Sequence, residues 1–97
     1  MVKVVWDNLA LRQLEQAFNY IKLDSIQNAT RVKNDILSAT GILKTHPEKY
    51  PTDKYKLNND GTYRAFEKHR YRVAYRVLKH EIRILTLRHA SMEPLEY

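Results

Sequence analysis

Arginine, histidine and tyrosine crowd the last third of this sequence. Between Gly61 and Ala90 stand Arg64, Lys68, Arg70, Arg72, Arg76, Lys79, Arg83 and Arg88, together with His69, His80 and His89, and a tyrosine follows at position 97. Such a set suits chemistry on a phosphodiester. Cutting RNA needs a base to take the 2′-OH proton, an acid to protonate the leaving 5′-oxygen, and cations to hold the charge that builds on the phosphate. His89 can serve as acid or base, because an unperturbed imidazole titrates near neutrality. Arg72 is the candidate phosphate cation, with Arg64, Arg70, Arg76 and Arg88 as further substrate-binding guanidiniums. Tyr97 can stack on a base or join the proton transfers. Arg72, His89 and Tyr97 are thus the candidate catalytic residues. The same residues also fit a plain solvated strand face, with Tyr63, Tyr71 and Tyr75 packed as core aromatics.

Other chemistries find little support. There are no cysteines, which removes thiolate metal sites, disulfides and a cysteine nucleophile. The histidines lack the spacing of a zinc motif, so no metal is expected. With only two glycines, Gly41 and Gly61, the chain has no glycine-rich phosphate cradle, and no cofactor is expected. The acidic residues are scattered, without a pair placed for glycosidase work.

The elements that must position the basic set follow from periodicity. Lys3-Val4-Val5-Trp6 reads as an opening strand. Asp7 is a candidate N-cap for a helix carrying Leu11, Leu14, Phe18 and Ile21 at spacings of three and four. Leu23 ends it. Asp24-Ser25 offers a second cap, and Ile26, Ala29, Val32, Ile36, Ala39 and Leu43 continue at helical spacing. So short a break predicts an antiparallel helical hairpin. From His46 to Gly61 the pattern gives way to Pro47, Pro51, Asn58-Asn59 and Asp60-Gly61, which is loop chemistry. A loop of this length is expected to be functional, mobile or simply packed.

Three strands are expected to follow: Thr62 to Lys68, Tyr71 to Leu78 and Ile82 to Arg88, with Lys79-His80-Glu81 as the last turn. Their short connections predict an antiparallel meander. In the middle strand Tyr71, Val73, Tyr75 and Val77 alternate with Arg72, Ala74, Arg76 and Leu78. The expected fold class is α+β, in the order β-α-α-β-β-β, as one domain over residues 1–97 with both helices on one face of a small twisted sheet. The other face is left open, with Arg72 and Arg76 on it.

Net charge is +6, and its location matters more than its size. Residues 61–90 hold eight basic residues against Glu67 and Glu81, which accounts for the entire surplus; the rest of the chain carries nine of each sign. A block of this kind attracts polyanions or acidic partners. No stretch approaches the ~18 apolar residues of a membrane span, and the opening residues lack the apolar run of a signal peptide. The expected location is the cytoplasm, with no membrane partner.

The segment YRAFEKHRYRVAYRVLKHEIRILTLRH resembles the sheet of RelE/ParE superfamily toxins. In that family a Tyr-Arg pair opens an apolar strand, as Tyr71-Arg72-Val73-Ala74-Tyr75 does here, and the next strand ends near a His or Arg. The stretch YIKLDSIQNATRVKNDI resembles the helical hairpin of the ParE-like branch. The resemblance implies the toxic half of a type II toxin–antitoxin pair, acting either on mRNA at the ribosome as an endoribonuclease or on DNA gyrase without hydrolysis. It implies that Arg72 matches the arginine which holds the substrate phosphate in the RNases, that Arg64 lies near a basic family position, and that His89 and Tyr97 match C-terminal acid–base residues, Tyr97 at a different spacing. Phe66 departs from the pattern where some RNases carry a lysine. The hairpin favours the gyrase branch, and the Arg72, His89 and Tyr97 set the RNase branch. Either way a cognate antitoxin is expected, a small acidic or amphipathic protein that covers the basic face or packs on the helices. A basic binding module with neither activity is the third reading.

Overall fold

Strand β1 (Lys3–Trp6) opens a computed structural model that describes residues 2–97. Asp7 occupies the N-cap position of α1 (Asn8–Lys22), and its carbonyl accepts the first helical bond from Leu11. Its side chain makes no cap bond and instead accepts from Arg83 Nη1 at 2.7 Å. The capping role expected of that carboxylate is therefore not realised, because a guanidinium competes with the helix amides for it. Ser25 does cap α2 (Ile26–Gly41), accepting from the Asn28 amide at 3.1 Å. The helical spacing that ran on to Leu43 tightens after Gly41 into a single 3-10 turn, Ile42–Lys44.

The three later strands are β2 (Tyr63–Lys68), β3 (Tyr71–Val77) and β4 (Glu81–His89). They form the expected meander, β2 and β4 each antiparallel to β3. β1 joins the far edge parallel to β4, giving the order β1-β4-β3-β2 in a four-stranded mixed sheet. Two residues with positive φ, His69 and Arg70, make the tight β2–β3 turn, as a two-residue hairpin loop requires. Glu81, expected in the last turn, already belongs to β4.

Both helices lie on one face. Leu14 and Ala17 of α1 and Val32, Ile36 and Ala39 of α2 pack with Phe66, Tyr71, Val73, Tyr75, Ile82, Ile84 and Leu87 of the sheet. The Tyr75 hydroxyl, fully buried, donates to the Pro47 carbonyl at 3.0 Å and so pins the start of the long loop to the core.

Register decides which side chains share the other face, since residues directly opposite in neighbouring strands point the same way. Glu67, Arg72 and Arg88 form one row, Ala65, Ala74 and Thr86 a second, and Tyr63, Arg76 and Arg83 a third. A bulge at Leu85 separates Ile84 from Thr86, because Ala74 and Tyr75 pair with Thr86 and Ile84 respectively. Beyond it the alternation is inverted, so Leu87 joins Ile82 and Ile84 in the core while Arg88 faces outward.

Candidate functional site on the open sheet face

The loop between the 3-10 turn and the sheet does not wander. Asp53 donates its amide to the Tyr63 carbonyl at 2.8 Å, Ala65 donates to the Pro51 carbonyl at 3.3 Å, and Thr52 makes a bridge with Arg64. Residues 51–53 thus run along the edge of β2. Asn59 fixes the return, its amide donating to the carbonyls of Tyr63 at 2.8 Å and Asp53 at 3.3 Å. The last residues close against this loop: the Leu57 amide donates to the Tyr97 carbonyl and the Tyr97 amide to that of Tyr55, at 2.6 and 3.1 Å.

Loop, closing segment and sheet together enclose a groove of about 490 Å³. Ala74, Leu85, Met92 and Leu95 give it apolar lining, while Arg72, Arg88, Lys54 and Lys56 bring cations. At its end sits a buried carboxylate. Asp53, 3% exposed, receives Arg72 Nη2 on Oδ1 at 2.7 Å, the Tyr55 amide on Oδ1 at 3.0 Å, and the Tyr97 hydroxyl on Oδ2 at 2.7 Å. Burial alone would raise its pKa, but these donors win and hold it below the ordinary carboxylate value. The Tyr97 phenol is pushed far up by burial and by the Asp53 carboxylate, so it is a donor locked in its neutral form.

Tyrosines and cations interleave beside this knot. Arg72 lies over the Tyr55 ring at 4.9 Å, Arg76 over Tyr63 at 4.6 Å, and Lys56 over both Tyr63 and Tyr97 at 4.7 and 5.3 Å. Three of the four outward arginines have carboxylates: Arg72 has Asp53, Arg83 has Asp7 and Glu81, and Arg76 has Asp60 at 3.7 Å. Among the described residues Arg88 has none, and donates only to the Glu93 carbonyl at 3.2 Å.

The structure brings Arg72, Arg76, Arg88 and Tyr97 to the open face, and Arg72 to Tyr97 through Asp53. Arg64 and His89 it sends elsewhere. Arg64 pairs in register with Tyr75, on the helix face, and donates to the Tyr50 carbonyl at 2.6 Å. His89 pairs with Tyr71, also on the helix face, and its ring stands edge-on to that tyrosine at 5.1 Å. The Ser91 amide donates to His89 Nδ1 at 3.1 Å, which leaves the ring proton of the neutral form on Nε2. As the end of β4, His89 still reaches the groove wall. Arg70 sits in the β2–β3 turn with positive φ, its carbonyl accepting from Ala90, and does not line the groove. Asp53, the centre of the arrangement, has no signature in the sequence beyond lying in a long loop, and Tyr55 has none.

The model for the family described as the ParE toxin of the type II toxin–antitoxin system parDE matches residues 4–94. The chain belongs to this ParE toxin family. Membership implies a cognate antitoxin as partner. A solved chain titled "Chromosomal ParDE TA system from P. aeruginosa" has the same fold, with a TM-score of 0.72 and 19% identity over 94% of this chain and 98% of that one. No curated protein matches the sequence. No helix among the described residues of this ParE-family chain is long and apolar enough to cross a membrane.

Proposed function

We propose that this ParE-family toxin arrests growth by binding DNA gyrase, without cutting RNA itself. One observation supports the reading above others: Arg72 and Tyr97 are both occupied by the Asp53 carboxylate, and the His89 ring is held against Tyr71 rather than beside them. A 2′-OH attack needs base, acid and cation within hydrogen-bond reach of one phosphate. Arg72 is engaged by Asp53 on the open face, and the Tyr97 hydroxyl donates a hydrogen bond to the same carboxylate. His89, at the end of β4, packs its ring edge-on to Tyr71 and reaches the groove only at its wall.

A ribosome-dependent endoribonuclease is the second reading, favoured by Arg88, His89 and Tyr97 sharing the groove wall. Under either reading the antitoxin covers the groove, laying an amphipathic acidic segment over Leu85, Met92 and Leu95 with its carboxylates toward Arg88 and Lys54.

Induction of the toxin in cells, followed by pulse labelling of DNA and protein synthesis, separates the readings. The gyrase reading predicts that DNA synthesis stops first and the SOS response is induced, with His89→Gln equally toxic. Translation stopping first, relieved by Arg72→Ala or His89→Gln, would overturn it in favour of the nuclease.

A further inference from the structure

His89 does more than end β4. Its Nδ1 accepts from the Ser91 amide at 3.1 Å and lies 2.6 Å from the Ser91 hydroxyl oxygen. An amide N–H can only donate, so Nδ1 carries no proton, and the hydroxyl must donate to it as well. The main chain thus fixes the direction of the serine hydrogen bond. The Oγ proton points at a basic nitrogen, and Ser91, in the turn that follows β4, is exposed. The Tyr71 ring stands perpendicular to the imidazole at 5.1 Å and holds it in place. A hydroxyl bonded to a base that a third group orients is the arrangement of an activated nucleophile.

The pair opens onto a second cavity. Ser91 and His89 line a cleft of about 370 Å³ between α1 and the end of β4, which Asp53, Arg72 and Tyr97 do not reach. Ala17, Leu87 and Met92 give this cleft apolar walls. Gln13, on the α1 side, accepts the Leu87 amide on Oε1 at 2.7 Å, which leaves its Nε2 group to donate to a carbonyl oxygen bound in the cleft. We propose that Ser91 is a nucleophilic serine that takes the acyl group of a small activated ester, with His89 as its base. Ser91 Oγ attacks the acyl carbon while its proton passes to His89 Nδ1. The bond from that carbon to the leaving oxygen then breaks, and the leaving oxygen keeps the electron pair and takes the proton from Nδ1. The acyl group stays on the chain as an ester of Ser91. The lining favours acyl over phosphoryl transfer. A phosphoryl donor such as a nucleoside triphosphate brings several negative charges, and the cleft offers one guanidinium, Arg88, against them. An uncharged acyl chain needs no such neutralisation and gains from the apolar walls.

The test mixes the purified full chain with p-nitrophenyl acetate. Release of p-nitrophenolate is followed by absorbance, and the acetylated position is read by peptide mass spectrometry after an acid quench. The wild type is expected to release nitrophenolate about tenfold faster than either Ser91→Ala or His89→Gln, and to carry acetyl on the peptide that contains Ser91. Because Ser91 lies exposed in a turn, its alanine variant keeps the fold, which a circular dichroism melt checks. Release from Ser91→Ala at the wild-type rate overturns the proposal, even where His89→Gln is slow, since His89 would then be reacting on its own. Acetyl found only on lysines overturns it too, as does a folded His89→Gln chain that reacts like the wild type. Growth arrest is not a readout, so neither result depends on whether the target is gyrase.

Discussion

Asp53 keeps its charge at an acidity where an exposed aspartate loses it, and that difference is a term in stability. Its folded pKa lies below the ordinary 3.8 because the bonds from Arg72, Tyr97 and Tyr55 outweigh burial. The stabilisation is present in full above the unfolded value and is lost as pH falls through the lowered folded one. Tyr75 works at the other end of the scale. Burial pushes its phenol up to about 12, so its contribution holds below the unfolded value, near pH 10, and is lost as pH rises toward 12. Unfolding followed from pH 2 to 12 should show a plateau with a fall at each end. Asp53→Asn should flatten the acid fall and cost roughly 2–4 kcal/mol at neutral pH, below the full penalty of breaking a buried pair because Arg72 keeps 28% of its side chain exposed. An acid limb as steep as that of the wild type would show that the carboxylate is not a stabilising centre. At this scale the sequence was half legible. Arg72 and Arg76 can be placed by strand alternation, whereas Arg88 faces outward only because of a bulge that has no local signal. Asp53 cannot, because its importance comes from a loop path and from partners 19 and 44 positions away.

Elements were easier to read, and one irregularity explains most of the remainder. Helices with stripes at spacings of three and four, a two-residue break and strands of alternating Tyr and Arg announce β-α-α-β-β-β without help. The parallel placement of β1 on β4 has no local signal, as it depends on the hairpin carrying the chain back across the sheet. The bulge at Leu85 has none either. Regular alternation through Ile82-Arg83-Ile84-Leu85-Thr86-Leu87-Arg88 would put Arg88 on the core side with Ile82 and Ile84, and Leu87 in solvent. One extra residue reverses that. Deleting Leu85 should therefore give a regular β3–β4 ladder that still holds Leu87 in the core and Arg88 outward, and the variant should fold cooperatively. Leu85→Ala, which keeps the count, should cost only about 1–2 kcal/mol, as the side chain is half-buried. Circular dichroism melts of the two variants check this, and a deletion variant that fails to melt cooperatively would contradict the role given to the bulge.

For the molecule as a whole, the charge surplus in residues 61–90 looks like a nucleic-acid footprint until the ion pairs are drawn. Asp7, Asp53, Asp60 and Glu81 meet three of the four outward arginines, and three of those acids come from outside that segment. The surface that results is a groove with apolar lining and a sparse cationic rim, better suited to a protein partner than to an RNA backbone. This whole-molecule view separates the gyrase reading from the nuclease reading, and it can be tested without cells. Purified toxin should inhibit supercoiling of relaxed plasmid by DNA gyrase and accumulate cleaved DNA, with His89→Gln as potent as the wild type and the cognate antitoxin abolishing the effect. Unimpaired supercoiling at a large excess of toxin, alongside cleavage of mRNA in a translating extract, would contradict the account.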